Sequence, residues 1–302
     1  MITIPPFLRP GDTIGITCPA GFMTREKALT CIGTLETWGY RVREGRTLGG
    51  DSDNYFSGTD EQRLDDLHAM LADPGIDAIL CGRGGYGLSR IIDRVDFSAF
   101  CQKPKWIIGF SDITVLHAHL FTNYKIATLH APMAGAFNDG CADTPGVLSL
   151  KRVLAGEPMS YTCAPHPFNR TGYTRGILVG GNLSLLAHLV GSVSDIDTKG
   201  KILFLEDVGE YLYNIDRMLR QLKRSGKLDH LAGLVIGGFT ETKDTMRPFG
   251  ATVEDIIREV VKEYAYPVCY GFPVSHGIEN VALKIGTEYT LTVAPGSTAL
   301  TE

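Results

Sequence analysis

No two of the seven cysteines form a Cys-x-x-Cys pair; they stand at positions 18, 31, 81, 101, 141, 163 and 269, odd in number and scattered. That spacing excludes a zinc ribbon and a disulfide framework and suits reduced thiols in a cytoplasm. Positive charge is also scarce: 29 Lys plus Arg against 34 Asp plus Glu leave a formal charge of -5. Such a chain has no basic field for a phosphate backbone or an anionic bilayer, so neither nucleic acid nor membrane is an expected partner. No apolar run offers the ~20 residues of a membrane span, and the longest, residues 176–196, is broken by Asn182, Ser184 and His188. Residues 1–9 lack the charged start and long apolar segment of a signal peptide, so export is not expected. There is no His-Glu-x-x-His and no P-loop, so neither a metal nor a nucleotide cofactor is called for.

Apolar residues make up 44% of the 302 and charged residues 21%, enough to bury a core in a chain of about two domains' length. The first half alternates short apolar runs with helical periodicity. Strands are predicted at 13–17, 41–44, 76–81, 106–108 and 126–129. A helix over 24–38 repeats Ala28, Leu29, Ile32, Leu35 and Trp38 and stops at Gly39. Thr59-Asp60-Glu61-Gln62 has the form of a capping box opening another helix. This rhythm argues an α/β domain over residues 1–137, with a parallel sheet whose ligands collect at the carboxyl ends of the strands. Residues 138–175, rich in Pro, Gly and Thr, are the expected interdomain connection. Over 176–302 further strands (176–179, 201–205, 234–236, 268–272, 289–293) and helices (183–190, 214–224, 253–264) give a second α/β domain. Its last strands lack an intervening helix, which predicts a mixed sheet.

Glycine stands at 35 of 302 positions against a usual roughly 7%, and much of the excess follows predicted strands. Gly82-Arg83-Gly84-Gly85-Tyr86-Gly87 has glycines able to present backbone N–H groups to an anion or oxyanion, although a plain tight turn accounts for them as well. Ser111, between a strand and a helix and two residues after Gly109, has the setting of an exposed nucleophile, with the Asp112 amide pointed at a developing oxyanion. Ile113 stands where a nucleophile elbow has glycine, and an ordinary helix N-cap is the competing role. A serine needs a base, and the base needs an orienting acceptor. Of eight histidines, His276 lies in a loop after a strand, where catalytic groups commonly sit. His117 and His119, two apart on a helix, point in different directions. Glu206-Asp207 ends an apolar strand, and either carboxylate is placed to hold an imidazole, to cap the next element or to pair with Arg217.

Together these pieces resemble the LD-carboxypeptidases, serine peptidases with a Ser-Glu-His triad. The likeness runs nearly end to end. It rests on Leu8-Arg9-Pro10-Gly11-Asp12, Arg83-Gly84-Gly85-Tyr86-Gly87, Gly109-Phe110-Ser111-Asp112, Leu129-His130-Ala131-Pro132-Met133 and Gly180-Gly181-Asn182-Leu183. Leu205-Glu206-Asp207-Val208-Gly209-Glu210 follows, with Tyr213, Asp216 and Arg217, and then Gly271-Phe272-Pro273 through His276-Gly277. Ala131 departs from a glycine of the family, which puts nothing catalytic in doubt.

The resemblance implies a flavodoxin-like N-terminal domain joined to a smaller, swivelling α/β domain. Ser111 is then the nucleophile, His276 the base and Glu206 its orienting acid, with the amides of Asp112 and Gly85 as oxyanion hole. Arg83, Glu210, Tyr213 and Arg217 are candidate substrate contacts, each equally explained by a solvated ion pair. No cofactor or metal is implied. The substrate would be a small peptide, the murein tetrapeptide losing its terminal D-Ala during peptidoglycan recycling, and the enzyme a cytoplasmic homodimer. The alternative inside the same family is a microcin-immunity hydrolase of peptidyl or aminoacyl nucleotide analogues, which adds an aromatic-bearing loop. Neither Trp38 nor Trp106 supplies such a loop. A two-lobed binding protein without catalysis would leave Ser111, Glu206 and His276 unexplained.

Overall fold

Strand β1 (Thr13–Thr17) is buried at every position, as befits a strand covered on both faces. After it come α1 (Leu29–Thr37), β2 (Arg41–Glu44), α2 (Asp60–Ala72), β3 (Ala78–Cys81), α3 (Ser98–Gln102), β4 (Trp106–Gly109), α4 (Thr114–His119), β5 (Thr128–His130) and α5 (Pro145–Leu154). Next in the chain are β6 (Ser160–Cys163), β7 (Gly172–Asn182), α6 (Leu183–Leu189), β8 (Ile202–Val208), α7 (Leu212–Arg224), β9 (Gly233–Thr240), α8 (Val253–Val260) and β10 (Val268–Cys269). The chain closes with β11 (Leu283–Ile285), β12 (Glu288–Ala294) and β13 (Ser297–Thr301). The computed structural model describes residues 1–302. They divide into two units, 1–157 with 281–284 and 158–280 with 285–302.

The first unit holds the sheet β11-β5-β4-β3-β1-β2, in which β2, β1, β3, β4 and β5 pair in parallel. That is the 2-1-3-4-5 order of the flavodoxin-like folds. The predicted capping box opens α2: Gln62 N donates to Thr59 Oγ1 at 3.2 Å and Thr59 N to Gln62 Oε1 at 2.8 Å. Helix α2 buries Leu64, Leu67, Met70 and Leu71, but also Arg63 and Asp66. The predicted helix over 24–38 begins as a 3₁₀ turn, Arg25–Ala28, and becomes α-helical only at Leu29.

The second unit holds β10-β9-β8-β7-β12-β13-β6. Strands β7 to β10 pair in parallel, whereas β12, β13 and β6 are antiparallel, so the sheet is mixed for the reason foreseen. The expected connection over 138–175 is corrected. Helix α5 belongs to the first unit and β6 to the second, and the break falls between Glu157 and Pro158. The signals misled because Pro145 is the first residue of α5, where its missing N–H costs nothing. The second domain is also discontinuous, since residues 281–284 return to the first unit and β11 to its sheet. Helix α8 ends at Val260 and β10 at Cys269, both short of their predicted ends at 264 and 272.

Candidate active site

Ser111 has φ 63, a left-handed backbone that costs a non-glycine residue about 1–3 kcal/mol and persists only where the surroundings hold it. Those surroundings are local. At Gly109 a Cβ would lie 2.8 Å from Ile113 Cγ1 and 3.2 Å from Cys81 Cβ, so the chain folds Ile113 back over a residue with no side chain. This accounts for isoleucine at position 113 without loss of the sharp turn. The N-cap position of the 3₁₀ turn at 111–113 is taken by Phe110, so Ser111 is not the helix cap that competed for its role. Fully buried His117 stands 2.8 Å from the Gly109 carbonyl through Nε2, and burial pushes its imidazole down to about 4. It is a neutral strut of the turn.

The glycine loop comes against this turn. A Cβ on Gly84 would meet Ser111 Cβ at 2.8 Å, Ser111 Oγ at 3.1 Å and Asp112 N at 3.3 Å, so only glycine admits the loop backbone here. Two buried side chains fix the loop's exit. Leu88 N donates to Asp112 Oδ2 at 2.8 Å, and Arg63 Nη1 donates to the carbonyls of Gly87 at 3.1 Å and Pro19 at 2.7 Å. Arg63 is in turn paired with Asp60. Burial pushes the Asp112 carboxyl up to about 6, opposed by the Leu88 amide and the Arg63 charge. Neither side chain was singled out in the sequence, where an Asp after the serine and an Arg on a helix carry no mark of burial. Tyr55, likewise unflagged, places its hydroxyl where a Gly85 Cβ would approach it to 2.8 Å, and its side chain is exposed.

In the second unit β9 has one residue more than β8 between the pairs Leu205–Ile236 and Asp207–Phe239, a bulge that sets Gly237 and Gly238 of β9 opposite Glu206. Both Glu206 and Asp207 are buried, and they have separate tasks. Asp207 accepts from Asn182 Nδ2 at 2.8 Å, Val208 N at 2.8 Å and Ser184 N at 2.9 Å, joining Asn182 in capping α6; burial pushes it up to about 6. Glu206, 0% exposed, places Oε2 2.6 Å from Nδ1 of His276, which is 14% exposed. With the carboxylate accepting, Nδ1 carries the hydrogen and Nε2 the lone pair.

What brings His276 to Glu206 is a pair of glycines inside β9. A Cβ on Gly237 would strike the Val274 carbonyl at 2.2 Å, and one on Gly238 would lie 2.6 Å from Ser275 Cβ. The loop therefore rests directly on the strand, held by Gly238 N donating to Val274 O at 2.8 Å and Phe272 N to Ile236 O at 3.0 Å. A Gly-Gly directly after the predicted strand 234–236 was the available signal for this close approach.

The remaining candidates fall into two places. Glu210, Tyr213 and Arg217 gather at the start of α7 around Asn214, which donates to Glu210 Oε2 at 2.9 Å and accepts from Arg217. The Arg217 guanidinium lies 5.5 Å over the Tyr213 ring, and Tyr211 stacks on Tyr213 at 5.4 Å. Arg83, in the first unit, donates to the Phe22 carbonyl at 2.8 Å and lines an open hollow with Glu26, Lys27, Asn138 and Asp139. Of the other histidines, His68 accepts from Asp96 N at 2.8 Å and His166 stacks on Tyr270 at 5.3 Å.

Residues 14–131 match the LD-carboxypeptidase N-terminal domain and residues 175–291 the LD-carboxypeptidase C-terminal domain. Over 294 residues the chain is 36% identical to the probable murein peptide carboxypeptidase of Bacillus subtilis strain 168, covering 96% of this chain and 92% of that one. It is 25% identical over 332 residues to the microcin C7 self-immunity protein MccF of Escherichia coli, covering 97% and 94%. Among solved structures, the muramoyltetrapeptide carboxypeptidase from Oxalobacter formigenes superposes with a TM-score of 0.87 at 27% identity, over 96% of this chain and 98% of that one.

Proposed function

The chain belongs to the LD-carboxypeptidase family, and from that premise we propose that it is a serine carboxypeptidase releasing the terminal D-Ala of murein tetrapeptides. The bond cut joins the L-centre of a diamino acid to that D-Ala, and the product returns to peptidoglycan recycling. Ser111 Oγ attacks the scissile carbonyl while His276 Nε2 takes its proton. Glu206 holds the imidazole in the tautomer this requires. The amides of Asp112 and Gly85 receive the oxyanion. Collapse expels the D-Ala amine with the proton from His276, and water, activated by the same imidazole, then frees the acyl group from Ser111. Arg83, Glu210, Tyr213 and Arg217 contact the substrate, the arginines suiting its terminal carboxylate. The observation that carries this reading is the 2.6 Å contact between buried Glu206 and His276, the support a general base needs.

One observation favours a second reading, hydrolysis of aminoacyl or peptidyl nucleotide analogues. Exposed Tyr211 and Tyr213, with Lys243 6.0 Å over Tyr211, offer a face on which a base could stack. The test is parallel turnover, followed by mass, of the tetrapeptide ending L-diamino acid to D-Ala, its L-Ala-terminated analogue, its C-terminal amide, the pentapeptide ending in two D-residues, and an aminoacyl nucleotide analogue. Rapid loss of alanine from the first alone is expected, since misplacing the reacting carbonyl by about 1 Å costs ~10²-fold. Equal rates on the L- and D-terminated peptides, or turnover of the nucleotide analogue alone, would reject it. A cytoplasmic location and a homodimer belong to the same proposal and are read by cell fractionation and sedimentation.

A further inference from the structure

Cys163 ends β6 and Cys269 ends β10, the two strands at opposite ends of the seven-stranded order. Strands so far apart in a flat sheet would never meet. Here their sulfurs lie 3.5 Å apart, because the sheet curls until its edges approach one another. Other bonds mark the same closure. Arg170 and Val268 exchange backbone hydrogen bonds of 2.9 and 3.1 Å, while Asn169 accepts from Tyr270 N at 2.8 Å and donates to Thr298 Oγ1 at 3.2 Å. The thiols thus face each other on a framework already fixed on both sides, with the two sulfurs 3.5 Å apart.

We propose that Cys163 and Cys269 form an oxidation site, which hydrogen peroxide converts into an intramolecular disulfide tying the two edge strands of the second unit together. No spacing pattern pairs them, since 105 residues separate the two cysteines. Access and chemistry divide between the pair. Cys163 is half-buried and Cys269 buried. The hydrogen bond between them lowers the Cys163 thiol from its ordinary value and raises that of Cys269, so thiolate character sits on the sulfur that peroxide can reach. The Cys163 thiolate attacks one peroxide oxygen, the O–O bond breaks, and hydroxide leaves with a sulfenic acid behind. Cys269 sulfur then attacks Cys163 sulfur, the S–O bond breaks, and the Cys269 proton leaves with the hydroxyl as water. Two thiols are oxidised and one peroxide is reduced to two waters, with no external reductant.

The test treats the reduced, intact protein with peroxide, alkylates what remains, and maps peptides by mass. A peptide pair joined through Cys163 and Cys269 is expected, absent in Cys163→Ser and retained in Cys101→Ser, whose replaced thiol is exposed. The oxidised protein should also melt several degrees above the reduced one, since the link closes a long loop, and dithiothreitol should return it. Recovery of both residues alkylated while Cys101 is oxidised, or of Cys163 as a sulfinic acid without the cross-link, would overturn the proposal.

Discussion

In the first unit the candidate nucleophile is set within five consecutive residues, 109–113, and the strain of Ser111 at φ 63 is held by its own neighbours Gly109 and Ile113. In the second, the candidate base meets a carboxylate 70 positions away, and the meeting depends on a bulge in β9 whose two glycines, Gly237 and Gly238, touch neither reacting atom. One half of the chemistry is a local backbone shape. The other is a tertiary contact, open to damage from places remote in the chain.

The largest effect should come from the local half. Ser111→Ala should leave the fold intact and lower D-Ala release at least ~10³-fold, because the acyl-enzyme route closes; near-normal turnover in a folded variant would remove the serine from the mechanism. In the tertiary half, Glu206→Gln should cost about 10²–10⁴-fold in kcat with a smaller change in KM, since an amide favours the wrong imidazole tautomer. Asp207→Asn, whose carboxylate caps α6, should cost far less rate. A reversed order would mean that Asp207 is the orienting acid. Next come the glycines. Gly237→Ala drives a Cβ into the Val274 carbonyl, a backbone clash that should lose about 1–3 kcal/mol of stability along with kcat. Gly84→Ala meets the Ser111 side chain and should lower kcat with a smaller fall in Tm. Equal losses of stability in urea titrations of both variants would erase the contrast.

The smallest effect on rate is expected from Asp112→Asn, whose amide oxygen can still accept from Leu88 N. Burial raises the Asp112 carboxyl from 3.8 to about 6 in the folded chain. The folded state therefore holds its proton more tightly than the unfolded one. The stability linked to Asp112 is fully present below about 4 and is lost as pH rises through about 6. Asparagine does not ionise, so the variant should gain on the wild type between pH 4 and 7, by on the order of 2 kcal/mol. Urea midpoints across that range measure the gain, and a difference independent of pH would place the Asp112 titration elsewhere.

What sequence reading could reach follows the same division. Ser111 was legible because a strand, a glycine and a helix stand side by side. The alternation in the first half likewise foretold the parallel sheet, and the capping box at Thr59 fixed the start of α2. Glu206 and Asp207 were not separable by position, because both are buried on one strand and only their tertiary partners, His276 for one and the start of α6 for the other, give them different tasks. Strand β6 escaped notice, as four residues in a Pro- and Thr-rich stretch carry too little pattern. Nothing in the sequence marks the side chains of Arg63 and Asp112 as buried, since burial of a paired ion leaves no local trace.

The central claim is that Ser111 and His276, contributed by different units, act as one catalytic device. Its most direct test is D-Ala release by Ser111→Ala, His276→Ala and the double variant, each checked for folding. Residues that work as a unit are grossly non-additive, so the double variant should lose about as much activity as Ser111→Ala alone. A double variant whose loss is the product of the two single losses would show that the two residues act independently and contradict the account.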